Sequence, residues 1–141
     1  MAGGAFTPRV RMMTVCDRVR ESDLEAGVFD LKGVRHSIAA RVFPFRPRRL
    51  LVFMLLSRPR RGLYPGDVIV QNDQDEKKIL HKNLSPAPFF EQDNDTLACI
   101  APARCTFPEP GQYSFQIWFF QEHGSDILRG EYTFQVIEEG W

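Results

Sequence analysis

Three cysteines (Cys16, Cys99, Cys105) and three histidines (His36, His81, His123) are the residues of this 141-residue chain best suited to hold a transition metal. A structural zinc site draws closely spaced ligand pairs from single turns, because two ligands on one turn preorganise half of the tetrahedron. Cys99 and Cys105 stand six apart with Pro102 between them, and no two histidines are closer than 42 positions. The pattern predicts neither a metal nor any other cofactor. The cysteines read instead as buried, unpaired small hydrophobes. Their odd number prevents full pairing within one chain and fits a reducing, cytoplasmic setting.

Two acidic clusters, Asp73-Gln74-Asp75 and Asp93-Asn94-Asp95, resemble fragments of a calcium loop. They lack the glycine and the distant glutamate that such a loop needs, so solvated hairpin tips are expected. Ser125 or Ser85 with His123 and Asp126 would supply the residue types of a hydrolase triad, but no G-x-S-x-G elbow accompanies them. Cys16 has no basic neighbour fixed beside it to lower its thiol pKa. No phosphate-cradling glycine loop occurs. The chain reads as a non-enzyme, with a hydrolase as the third reading.

Arginine is the more telling chemistry. Arg46, Arg48 and Arg49 precede the apolar run Leu50–Leu56, and Arg58, Arg60 and Arg61 follow it. Formal charge is zero overall, yet residues 1–70 carry 13 Lys/Arg against 6 Asp/Glu and residues 71–141 carry 5 against 12. Such asymmetry marks either an anion-binding surface or two oppositely charged elements that neutralise each other in the fold. A seven-residue strand spans about 23 Å, which puts the two arginine sets at opposite ends. A nucleic acid or another anionic ligand held by Arg46, Arg48, Arg49, Arg58, Arg60 and Arg61 is therefore the alternative function. The leading expectation rests on Trp118 and Phe120. Their parity is opposite to the inward residues of their strand, so they predict a protein interface or a dimer contact.

Short runs of strand-forming residues, punctuated by ten glycines and ten prolines, are what must position these groups. Strands are expected at Arg11–Cys16, Gly27–Leu31, Ser37–Phe43, Leu50–Leu56, Val68–Val70, Lys78–His81, Thr96–Ile100, Arg104–Phe107, Gly111–Phe120 and Leu128–Val136. The run Leu50–Leu56, apolar at both parities, should be a central strand covered on both faces. Arg20–Glu25 permits at most one helical turn, and Tyr64-Pro65-Gly66-Asp67 fits a type II turn. Tyr113, Phe115, Ile117 and Phe119 share one parity, as do Tyr132, Phe134 and Val136. These patterns predict an all-β, single antiparallel β-sandwich of about 7–9 strands over residues 9–141, after a flexible N-terminal arm at 1–8. Seven apolar residues in a row cannot cross a bilayer as a helix, and no membrane contact is expected. The first six residues show no secretory signal.

Glu109-Pro110-Gly111-Gln112-Tyr113-Ser114-Phe115 resembles the entry to strand F of an immunoglobulin-like (Ig-like) sandwich. The resemblance implies that the Tyr113 hydroxyl bonds to backbone between residues 107 and 111. Phe115 replaces the cysteine of antibody domains. Val15-Cys16-Asp17-Arg18-Val19, Gly27-Val28-Phe29-Asp30, the Pro/Arg-rich crossing and the final Pro-x-Gly-x-Tyr hairpin together resemble an uncharacterised family of small bacterial proteins. That resemblance implies an Ig-like sandwich and no particular activity. The combined expectation is a non-catalytic protein-binding or self-assembly module of a bacterial cytoplasm.

Overall fold

The apolar run at the centre of the sequence forms β5 (Leu51–Arg58), the middle strand of a three-stranded sheet. A computed structural model describes residues 7–58, 60–121 and 124–140, with the Arg58 side chain excepted. β5 lies between β1 (Arg9–Cys16) and β10 (Asp95–Pro102), antiparallel to both. Alternation then sorts its side chains. Val52, Met54 and Leu56 enter the main core, while Phe53 faces the other way. Phe53 is nonetheless buried, because Phe29 packs on it at 5.4 Å between ring centroids. Phe29 comes from a small antiparallel ladder of β2 (Arg18–Glu21) and β3 (Phe29–Lys32). The expected cover on both faces of the central strand is thus present.

The facing sheet has five strands, in the order β4 (Ser37–Ala40), β12 (Ile127–Glu138), β11 (Gly111–Phe119), β7 (Gly66–Asn72) and β8 (Lys78–Asn83). All its pairings are antiparallel except that of β4, which runs parallel to β12. Tyr113, Phe115, Ile117 and Phe119 are fully buried on its inner face, with Phe134 and Val136 beside them. Phe107, Tyr113, Phe115 and Phe134 form a connected aromatic cluster, with T-shaped contacts at 4.9 Å (Phe107–Tyr113) and 5.3 Å (Phe115–Phe134). Edge-to-face pairs of this kind add about 0.5–1.5 kcal/mol each beyond area burial. The Tyr113 hydroxyl donates to the Glu109 carbonyl at 2.7 Å, which ties the corner before β11 as the Pro-Gly entry implied.

Eight strands in two facing sheets give the predicted all-β sandwich. β6 (Gly62–Leu63) and β9 (Phe89–Phe90) form a further two-stranded ladder. Several local expectations are corrected. The segment expected to allow a helical turn, Arg20–Glu25, begins in β2, because Arg20 and Glu21 pair with Asp30 and Phe29. Gly66 is a strand residue and not the third position of a type II turn. A Cβ there would strike the Trp118 carbonyl, so glycine lets β7 approach β11. Pro102 ends β10 at a sheet edge, where its missing N–H costs no ladder bond. Arg104–Phe107 is consequently no separate strand, although Phe107 forms an isolated bridge with Phe45. Ser37–Phe43 keeps strand geometry only to Ala40. Thr7 and Pro8, the end of the expected arm, are buried. Residues 1–6 of that arm, and Glu122 and His123 of the last hairpin, lie outside the described residues. No helix among the described residues is long and apolar enough to cross a membrane.

Candidate functional site

The segment from Phe45 to Leu50 runs antiparallel to Ala103–Phe107 and fixes the first arginine set. Phe45 and Phe107 exchange backbone hydrogen bonds, Ala103 N–H donates to the Leu50 carbonyl, and Arg104 Nε donates to the Pro47 carbonyl at 2.9 Å. Leu50, Ala103, Cys105 and Phe107 point into the core, so Arg48, Arg49 and Arg104 are left at the surface. Opposite them stand the β1–β2 junction and the β3–β4 connection. Their backbones are joined by Asp17 N–H to the Lys32 carbonyl and Arg35 N–H to the Val15 carbonyl.

Between these two walls lies a cleft of about 770 Å³, which reaches Lys32, Arg35, Ile38 and Phe45. A second crevice of about 410 Å³ shares Asp17, Arg18, Arg48 and Arg49 with it and extends over Val19, Leu50, Leu51 and Pro102 to Arg104. Six cationic side chains (Arg18, Lys32, Arg35, Arg48, Arg49, Arg104) line the two crevices, and Asp17 is the one carboxylate among the described lining residues. The floor of the smaller crevice is apolar.

Asp17 is occupied. Arg35 grips it with Nε to Oδ1 at 2.8 Å and Nη2 to Oδ2 at 3.0 Å, a bidentate pair. The Asp17 carboxylate holds the Arg35 guanidinium above its already high pKa, mainly through these hydrogen bonds. The Arg35 carbonyl in turn accepts from the Tyr132 hydroxyl at 2.8 Å. Gly33 has φ of 65° and packs so closely that a Cβ there would collide with the Asp17 carboxylate. The pair thus forms part of the wall of the larger cleft. The other five cations lie beside apolar surface, a combination suited to an anionic group that carries an apolar neighbour.

The six arginines singled out by sequence do not form one surface. Arg48 and Arg49 line the cleft, and Arg46 lies beside it, donating to Thr106 Oγ1 at 3.2 Å. Arg60 and Arg61 lie beyond the other end of β5, about 23 Å away by strand length. There the Arg61 N–H donates to Asp93 Oδ1 at 2.8 Å, and Asp95 stands opposite Arg58 in register. Arg18, Lys32, Arg35 and Arg104 went unread as site residues. Only the fold joins Arg18 and Arg104 to Arg48 and Arg49, whereas Lys32 and Arg35 share with them the stretch between Asp30 and Asp67 that has no acidic residue.

Trp118 and Phe120 are less alike than parity suggested. Trp118 is half-buried, and its indole N–H donates to Gln116 Oε1 at 2.9 Å. Phe120 lies just past the end of β11 and is 38% exposed. The three cysteines are buried free thiols. Burial pushes Cys99 up to about 11 and Cys105 to about 12, so both remain protonated at neutral pH. Among the described residues, no three of His, Cys, Asp and Glu are grouped so as to share a metal ion. Asp73 accepts from Gln112 and from Ser114, and Asp75 accepts from the Lys77 N–H, so these acidic residues brace a hairpin.

Fold and site together define an all-β sandwich with a cationic cleft at one end. No family model and no curated protein matches the chain. Among solved structures, the PmoD soluble domain from Methylocystis sp. ATCC 49242 (Rockwell) is similar at 15% sequence identity, with 91% of this chain and 96% of that chain covered and a TM-score of 0.38. A likeness of that degree carries no functional argument.

Proposed function

We propose that the protein is a non-catalytic binding module that seats an acidic segment of a partner protein in the cleft formed by Arg18, Lys32, Arg35, Arg48, Arg49 and Arg104. The observation behind this reading is the convergence of six cations and one carboxylate on crevices with an apolar floor. Carboxylates on the segment would meet guanidinium forks in bidentate geometry, and an apolar side chain would occupy the slot over Leu50, Leu51 and Pro102. A self-assembly surface built on Trp118 and Phe120 has less support, because Trp118 is half-buried and tied to Gln116. Nucleic acid fits less well too. A phosphate backbone is bound by an extended track of cations, whereas the second arginine set lies about 23 Å away beside Asp93.

The test is fluorescence anisotropy with a labelled peptide of alternating Glu and Leu, beside a labelled single-stranded oligonucleotide. The peptide should bind, and a Gln/Leu peptide should not. Equal binding of the Gln/Leu peptide, or none of the Glu/Leu peptide, defeats the proposal. Tighter, steeply salt-dependent binding of the oligonucleotide would assign the cleft to nucleic acid instead.

A further inference from the structure

The two facing sheets end in edge strands β1, β10, β4 and β8, and all but β10 carry devices that discourage a further strand. β4 is only four residues long. β8 presents Lys78, His81 and Lys82, and its pairing with β7 slips at Gln71. β1 carries Arg9 and Arg11, with a register shift between Val10 and Met12. β10 has none of these. Its eight residues pair with β5 without a shift, and nothing between Asp95 and Pro102 is charged. The ladder also fixes which backbone groups are open. Ala103 N–H donates to the Leu50 carbonyl, so alternation turns the N–H and C=O of Ala101, Cys99 and Leu97 toward β5 as well. Those of Ala98 and Ile100 point away from the sheet, and no backbone hydrogen bond joins them to another segment among the described residues. Thr96 N–H, on the same side, is met by Asp95 Oδ1 at 2.9 Å. Pro102, the last residue on that side, has no N–H to leave open. The Ile100 side chain is 40% exposed.

We infer that β10 is a docking edge for a second copy of this chain, paired antiparallel about a two-fold axis. Charge selects this occupant and this direction. Asp93, exposed, and Asp95, half-buried, stand at the start of the strand, and the exposed Arg104 follows its end. Antiparallel self-pairing sets the acidic end of each copy against the basic end of the other, whereas a parallel pair would stack like charges. With Ala98 opposite the partner's Ile100, Arg104 falls between the partner's Asp93 and Asp95. The open N–H and C=O groups of Ala98 and Ile100 then satisfy one another, and each Ile100 side chain packs beside the partner's Ala98. The two three-stranded sheets become one continuous sheet. A single added strand pair makes a small interface, so the dimer forms at high micromolar concentration and above. The contact does not depend on the ligand proposed for the cleft, although Arg104 also lines the smaller crevice.

The test is sedimentation velocity of the parent from micromolar to millimolar concentration, beside residue-resolved amide exchange by NMR at both limits. The mass should rise toward that of a dimer. Exchange of the Ala98 and Ile100 amides should slow several-fold with concentration, while the edge amides of β8 stay as they are. Ile100→Lys, at an exposed position, should weaken association tenfold or more. Arg104→Glu should weaken it about fivefold, because both ends of the pair are symmetric and both become repulsive. Adding Asp95→Lys to that variant should reverse the loss. If Ile100→Lys fails to fold by circular dichroism, the amide exchange and Arg104→Glu decide. The inference is overturned if the parent stays monomeric at millimolar concentration, or if a dimer forms without slowing the Ala98 and Ile100 amides. It is overturned equally if folded Ile100→Lys or Arg104→Glu associates as tightly as the parent.

Discussion

The two ends of β5 carry similar arginine runs and meet different fates. Beyond its C-terminal end, the acidic half of the sequence comes back alongside. Asp95 stands opposite Arg58, and Asp93 accepts from the Arg61 backbone. Before its N-terminal end, the chain leaving β10 brings Arg104, a further cation, β2 and β3 add Arg18 and Lys32, and the β3–β4 connection adds Arg35. Acidic residues of the second half thus stand beside the arginines at one end, and a further cation stands beside them at the other. Net charge and sequence asymmetry are blind to this, because strand pairing decides which distant residue stands beside each arginine.

The largest expected effect breaks this comparison if it is absent. Arg48→Glu with Arg49→Glu should weaken binding of the Glu/Leu peptide about a hundredfold, or about 2.8 kcal/mol. Both side chains are exposed, so thermal unfolding should change little. A loss of binding accompanied by unfolding would point to a structural role instead. Anisotropy beside a melting curve separates the two.

The next prediction sets burial against charge at the same end. Cys105 lies near Arg46, whose charge favours the thiolate, yet desolvation outweighs it and pushes the thiol up to about 12. Cys99 has no such neighbour and is pushed to about 11 by burial alone. Both thiols ionise near pH 9 in the unfolded chain. The folded pKa is the higher one, so this contribution to stability is complete below pH 9 and is lost as pH rises toward 11 and 12. Each thiol should then cost about 1.4 kcal/mol per pH unit above pH 9. Urea midpoints taken between pH 8 and pH 10.5 should fall in the parent and fall less steeply in Cys99→Ala with Cys105→Ala. Equal slopes would mean that the thiols are not desolvated as described.

Tyr113→Phe should cost about 1 kcal/mol, the usual net worth of one hydrogen bond, here to the Glu109 carbonyl. An unchanged urea midpoint would show that the corner is held by the aromatic cluster alone.

Period-two alternation made the interior legible. Tyr113, Phe115, Ile117 and Phe119 were assignable to one buried face because side-chain direction in a strand follows from residue number alone. The Tyr113 corner was legible for a similar reason, since its partner lies four residues away. The cleft was half legible. Arg48 and Arg49 were marked by local density, whereas Arg18, Lys32, Arg35 and Arg104 reach it through the β2–β3 ladder and the Phe45–Phe107 bridge. Those pairings are long-range and leave no periodic trace. β2 itself was obscured because Arg18-Val19-Arg20-Glu21 is nearly all charged, with only Val19 to mark an inner face. Phe120 was given the parity of β11, but the strand ends at Phe119, so its exposure owes nothing to alternation.

The smallest effect sharpens the comparison most. Arg60→Glu with Arg61→Glu should change peptide affinity less than twofold at physiological salt, or less than about 0.4 kcal/mol. At about 23 Å in water, two unit charges interact by only about 0.2 kcal/mol before screening. With a Debye length of about 8 Å at physiological ionic strength, that falls to about a hundredth of a kcal/mol. Reversing both charges cannot make up the difference unless the arginines touch the ligand. At about 0.01 M salt the Debye length grows to about 30 Å, and the same variant should then lose several-fold in affinity against a peptide with three or more carboxylates. Anisotropy titrations at the two salt concentrations therefore separate action at a distance from contact. A loss that persists at physiological salt would mean that the ligand spans both ends of β5, and the cleft would be only part of the binding surface.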